Sequence, residues 1–160
     1  MNKAYLLTGG NEGERHLNMQ QARSKIELIC GHILLVSSLY ETAAWGITDQ
    51  PDFLNQVLLV NTILSPDDLL KAIFSIEEMG GRIRTARNAP RTIDIDILFY
   101  NDLVTDKPGL TIPHPRIKDR RFVLEPLDEI SSGLIHPVFG KTIHQLLLEC
   151  TDELPVKKID

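Results

Sequence analysis

Apolar and polar positions alternate along this chain in two rhythms, and the changes from one to the other mark out its elements. Ala4 to Thr8 is a short apolar run closed by Gly9-Gly10-Asn11, which predicts a first strand ending in a turn. From Glu14 to Ile29 the apolar residues Leu17, Ala22, Ile26 and Ile29 recur near the helical period among polar neighbours, and Gly31 supplies a stop. His32 to Tyr40 and Phe53 to Leu64 are rich enough in β-branched and apolar residues to predict two further strands, joined by a loop holding Gly46, Asp49 and Pro51. Ser65-Pro66-Asp67-Asp68 then opens a second helix: an N-cap serine, proline at the first helical position, and two acids against the positive end of the helix dipole. Leu69, Leu70, Ile73, Phe74 and Ile76 carry its apolar stripe as far as Gly80-Gly81.

A last strand covers Arg91 to Tyr100, giving strand, helix, strand, strand, helix, strand. That order predicts an α+β fold with a ferredoxin-like βαββαβ core. The pattern loosens after Asn101. Leu110 to Pro113 is a short extended piece, Arg121 to Leu127 leads into a turn, and Thr142 to Glu149 is a final helix, all read as additions to the core.

The sixth element carries the chemistry. On a strand, Asp94 and Asp96 share one face while Ile93, Ile95, Ile97 and Phe99 share the other, so two carboxylates sit side by side, their Cβ atoms about 6–7 Å apart from the strand rise. Aspartate is disfavoured in strands, and something positive must offset the pair. Arg82, Arg84, Arg87 and Arg91 lie just upstream with no acid among them. Carboxylates that hold a divalent cation, facing guanidinium groups that grip phosphate, are the parts of a phosphoryl-transfer site. Mg²⁺ takes one or two protein carboxylates and completes its shell with water and substrate phosphates, so an aspartate pair suffices. The alternative is a solvent-facing strand edge beside a solvated basic loop.

Composition narrows the field. With 160 residues, 42% hydrophobic and 24% charged, the chain has the length and make-up of one globular domain spanning residues 1–160. A net charge of −5 argues against long nucleic acid or an anionic membrane as partner. Cys30 and Cys150 match no metal-ligand spacing and read as reduced thiols, and no segment reads as a signal peptide or membrane span, so the cytoplasm is the expected compartment. Gly140-Lys141-Thr142 imitates the end of a P-loop, but Ile135 stands where the first glycine belongs. Gly9-Gly10-Asn11-Glu12-Gly13 fails the dinucleotide-binding fingerprint, and His16, His32, His136 and His144 form no ligand spacing. Trp45, Phe53, Asn55 and Phe122 are core candidates singly, but together two aromatic faces and an amide suit a flat heterocycle.

These motifs resemble a known family. Gly9-Gly10-Asn11, Ser37 to Thr42, Gln50 to Asn55, Glu77, Gly81 to Arg84, Pro90 to Leu98, Pro113-His114 and Arg120 to Phe122 are similar to 6-hydroxymethyl-7,8-dihydropterin pyrophosphokinases of folate biosynthesis over nearly the whole chain, with Pro-Arg-Thr-Ile-Asp-Ile-Asp the most specific stretch. The resemblance implies a three-layer αβα fold and diphosphate transfer from ATP, the co-substrate, to the pterin hydroxymethyl group; a monomer is expected. It implies two Mg²⁺ ions on Asp94 and Asp96, with Arg82 and Arg91 beside them as catalytic residues. Thr42, Ala43, Trp45, Phe53, Asn55 and Phe122 would line the pterin pocket, and Glu77, Arg82, Arg84, Arg91, Ile97, Thr111, His114 and Arg120 would face ATP. Here the family's frequent tryptophan before Pro90-Arg91-Thr92 is missing. Two other readings stand beside this one: a different Mg-dependent phosphoryl or nucleotidyl transferase, and a ferredoxin-like module that binds RNA. The latter lacks the aromatic signature of such modules.

Overall fold

The computed structural model describes residues 1–43, 51–81 and 92–159. In chain order the elements are β1 (Asn2–Gly10), α1 (Arg15–Ile29), β2 (His32–Val36), β3 (Tyr40–Thr42), β4 (Phe53–Thr62), α2 (Pro66–Met79), β5 (Asp94–Tyr100), β6 (Thr105–Lys107), β7 (Leu110–Ile112), α3 (Arg121–Ser131), α4 (Ile143–Glu149) and β8 (Val156–Lys158). The sheet runs β5-β1-β4-β3-β8, with β2 also on β4, and every pairing is antiparallel. Its βαββαβ core is the ferredoxin-like α+β fold expected from the element order.

Two apolar clusters sandwich the sheet. On one face Leu6, Leu54, Leu58, Ile95 and Ile97 pack with Met19, Ala22 and Ile26 of α1 and Leu69, Ile73 and Ile76 of α2. On the other, Tyr5, Leu7, Val57 and Leu59 pack with Val123, Leu124 and Leu127 of α3 and Ile143 and Leu146 of α4. The second helical layer thus covers the sheet from Tyr5 to Leu7 on β1 and from Val57 to Leu59 on β4. The same face beyond it, at Gly9 and Asn55, borders a cavity.

Local signals account for the boundaries. Ser65 accepts the Asp68 N–H at 3.2 Å as N-cap of α2, and Thr142 with Gln145 forms a capping box on α4. Four details depart from the sequence expectation. The strand expected from His32 to Tyr40 is broken at Ser37, whose hydroxyl accepts the Val57 N–H and whose carbonyl accepts the Gln56 amide, both at 2.9 Å. The face expected to hold Ile93, Ile95, Ile97 and Phe99 loses Phe99. Tyr5 pairs with Phe99 and Leu6 with Ile97, leaving Leu98 as an extra residue; Leu98 faces the second cluster by alternation with Asp94 and Asp96, and the irregularity turns Phe99 to that face as well. On α1, Leu17 and Ile29 are exposed, and the buried stripe is Met19, Ala22 and Ile26. Arg121 to Leu127, expected only to lead into a turn, opens the helix α3, which carries Pro126 in its interior while Val123, Leu124 and Leu127 are buried around it. Cys30 and Cys150 are free thiols, and burial pushes Cys30 up to about 11. Among the described residues no helix is long and apolar enough to cross a membrane.

Candidate active site

The site begins from strand alternation. Antiparallel register sets Asp94 opposite Gly9 and Asp96 opposite Leu7, while Gly9 in turn faces Asn55 on β4. Asp94, Asp96, Leu7, Gly9, Asn55 and Phe53 therefore share the sheet face that α3 and α4 leave partly open. Thr42 of β3 pairs with Phe53, and the Asn55 amide donates a long bond of 3.5 Å to the Thr42 hydroxyl. A Cβ built on Gly9 would overlap the Asn55 side-chain oxygen, so glycine is what lets that amide cross β1.

This floor belongs to a cavity whose walls are Ala43, Leu154, and Arg120 and Phe122 at the start of α3. The Arg120 guanidinium lies 5.6 Å from the centre of the Phe122 ring. Of the residues expected around a heterocycle, Thr42, Ala43, Phe53, Asn55 and Phe122 all line this one cavity, with Asp94, Asp96 and Arg120 at its border. Trp45, Arg82, Arg84, Arg87 and Arg91 lie outside the described residues.

A second cavity opens on the outer edge of β5, between α2, the β6–β7 hairpin and His114. It also contains Asp94 and Asp96, so the carboxylate pair is common to both spaces. Glu77, Ile97, Thr111 and His114, four of the residues expected to face a nucleotide, line it. Glu77 is 2% exposed, and its carboxylate accepts the Ile95 N–H at 2.8 Å, covering a backbone donor on the open strand edge. The backbone groups of Ile97 emerge on the same edge as those of Ile95, two residues away. The Thr111 hydroxyl donates to Asp106 at 2.9 Å across the hairpin, whose turn is made by Gly109 at φ +80°.

His114 is held from both sides. Its backbone N–H donates to the Leu98 carbonyl at 3.0 Å, and its Nδ1 accepts the Arg116 N–H at 3.2 Å. Burial pushes His114 down to about 4, helped by the charges of Arg120 and Arg116 and opposed by Asp94. A neutral ring with Nδ1 accepting leaves Nε2–H as its donor.

Hard carboxylate oxygens with room for substrate oxygens fit Mg²⁺. Among the described residues no cluster of three or more His, Cys, Asp or Glu forms a closed cage, so a cation on Asp94 and Asp96 would draw on water and a bound phosphate. Of the histidines that match no ligand spacing, His16 lies exposed on α1. His136 is buried, accepts the Val138 and Phe139 N–H groups and stacks on the Phe139 ring, while His32 and His144 pair with Glu27 and Asp128. Leu154 carried no signal in the sequence, since its position follows from the tail folding back. Phe74, on the apolar stripe expected for α2, is 41% exposed and lines the second cavity.

A ferredoxin-like sheet carrying two cavities that meet at one pair of acids has the layout of a two-substrate group-transfer domain. The family model of 7,8-dihydro-6-hydroxymethylpterin-pyrophosphokinase (HPPK) matches residues 5–132, and the chain belongs to that family. The 2-amino-4-hydroxy-6-hydroxymethyldihydropteridine pyrophosphokinase of Synechocystis sp. is 41% identical over 151 residues, 92% of this chain and 77% of that protein. The protein of the same name from Aquifex aeolicus is 39% identical, with 94% of each chain covered. The Folic acid synthesis protein fol1 of Schizosaccharomyces pombe is 45% identical over 98% of this chain, which spans only 21% of it. Among solved structures, Plasmodium falciparum HPPK-DHPS superposes with a TM-score of 0.74 at 21% identity, covering 93% of this chain and 43% of that one, a likeness of fold.

Proposed function

We infer that this chain transfers diphosphate from ATP to the hydroxymethyl group of 6-hydroxymethyl-7,8-dihydropterin, releasing AMP, as a step of folate biosynthesis. The observation that carries the reading is the carboxylate pair Asp94 and Asp96 shared by two cavities of different character. One offers aromatic faces and an amide, which suit a flat ring with several donors and acceptors. The other offers a strand edge, a hydroxyl and a neutral histidine, which suit a nucleotide.

In this mechanism Phe53 and Phe122 sandwich the pterin, while Asn55 and Thr42 read its edge. Glu77, Ile97 and Thr111 seat the nucleoside end of ATP, and His114 donates from Nε2 to a phosphate oxygen. Arg120 lies at the border of the pterin cavity and steadies the charge that develops on the transferred group. Arg82, Arg84 and Arg91 are assigned to the phosphates on the sequence resemblance, with Arg82 and Arg91 catalytic and Trp45 beside the pterin. The hydroxymethyl oxygen attacks the β-phosphorus in line. Its new O–P bond forms as the bond from the β-phosphorus to the oxygen shared with the α-phosphorus breaks; that oxygen leaves on AMP, and the hydroxyl proton passes to solvent. Asp94 and Asp96 would hold two Mg²⁺ ions, which would supply positive charge to offset the triphosphate and ease attack at phosphorus.

The nucleotide product tests the reaction. Protein, ATP, Mg²⁺ and reduced 6-hydroxymethylpterin yield AMP and diphosphorylated pterin. ADP with a monophosphorylated product would mean an ordinary kinase, and no turnover with tight binding of single-stranded RNA would favour the binding-module reading.

A further inference from the structure

We propose that residues 150–159 complete the pterin cavity, with Leu154 as a wall that determines affinity for the heterocycle. The inference rests on the assignment of that cavity to the pterin. The segment lies beyond the stretch matched by the family model, which ends at residue 132.

The segment is a strap fixed at both ends. At one end Arg121 binds it with three bonds: its backbone N–H donates to Asp152 Oδ2 at 3.0 Å, its Nε to the Asp152 carbonyl at 3.0 Å, and its Nη2 to the Cys150 carbonyl at 3.1 Å. At the other end β8 pairs with β3, placing Val156 opposite Thr42, and the Ile159 N–H donates to the Leu39 carbonyl at 3.0 Å. Between the anchors, Asp152 Oδ1 accepts the Leu154 N–H at 3.0 Å, and Leu154 lines the cavity with Phe122, Phe53 and Asn55.

The same anchor supports a second part of the wall. Arg120, the N-cap residue of α3, makes no side-chain cap, and the carboxylate that receives the first helical N–H comes from Asp152 of the strap. Arg120 and Phe122 flank that residue in sequence and both line the cavity. One short segment thus supplies a leucine to the pocket and holds the helix start that supplies an arginine and an aromatic ring. An apolar side chain there adds contact area to a flat ring without reaching the nucleotide cavity, whose lining does not include Leu154.

The test titrates reduced 6-hydroxymethylpterin into protein saturated with Mg²⁺ and a non-hydrolysable ATP analogue. Leu154→Ala weakens the pterin by about five- to tenfold, in the range of a trimmed apolar contact in a ligand pocket. It leaves affinity for the ATP analogue and the melting temperature unchanged, and Leu154→Met recovers pterin binding. Leu154→Trp, which fills the space, abolishes pterin binding while the analogue still binds, so the test stays decisive even if the alanine variant fails to fold. Pterin affinity in Leu154→Ala equal to that of the unaltered protein, or equal losses for pterin and nucleotide, would overturn the strap's role. An unaltered protein that binds no pterin would instead overturn the assignment of the cavity.

Discussion

Gly9 of β1 and Asn55 of β4 face each other across the sheet so closely that any side chain at position 9 would occupy the place of the Asn55 amide oxygen. The glycine serves the pocket by leaving space for its neighbour. Gly9→Ala must push the Asn55 amide out of the cavity or strain the strand, at about 1–3 kcal/mol for overpacking. It raises KM for the pterin about tenfold or more, as small misplacements of positioning groups do, and changes KM for ATP much less. Steady-state kinetics on both substrates, with a thermal melt, check this; equal effects on both KM values would count against it.

Glu77 and Ile95 form a second such pair, in which a buried carboxylate covers a strand-edge N–H. Glu77→Ala removes that acceptor and costs about 1–3 kcal/mol in a denaturant melt, the usual cost of stranding a buried donor. Glu77→Gln keeps an oxygen within reach of Ile95 and loses less. Equal stability of the two variants would show that the Ile95 bond contributes little.

His114 gives a pH signature. Its folded value of about 4 lies below its ordinary 6.5, so between those limits the unfolded chain binds the extra proton. The contribution of this residue to stability is therefore fully present above about pH 6.5 and lost as pH falls toward 4. Arg120, Arg116 and Asp94 are the charges that act on it. Urea melts at pH 7 and pH 5 test the point: His114→Gln loses less stability over that interval than the unaltered protein, and an unchanged pH slope would contradict the assignment.

The core of this fold was legible because its signals are local. Ser65-Pro66-Asp67-Asp68 marks the start of α2, and its N-cap bond is present. Asp94 and Asp96 stand out because acids are rare inside apolar strands, and strand alternation alone puts them on one face. The failures come from longer range. Leu98 is an extra residue only relative to Tyr5 and Leu6, so the reversal of Phe99 depends on β1 and not on the sequence around it. Pro126 masked α3, whose buried residues answer to a sheet far away in sequence. β8 is three residues, Val156–Lys158, mostly exposed, and strand only because β3 presents a free edge. Leu154 could not be assigned to the pocket before that pairing was known.

Diphosphate transfer is proposed to depend on the carboxylates common to the two cavities. The direct measurement is turnover by Asp94→Asn and Asp96→Asn, in protein shown by thermal melting to remain folded. For each variant kcat is expected to fall about 10²–10³-fold or more, the scale of losing one preorganised electrostatic contact in the transition state. Folded variants that turn over within a few-fold of the unaltered protein would contradict that dependence.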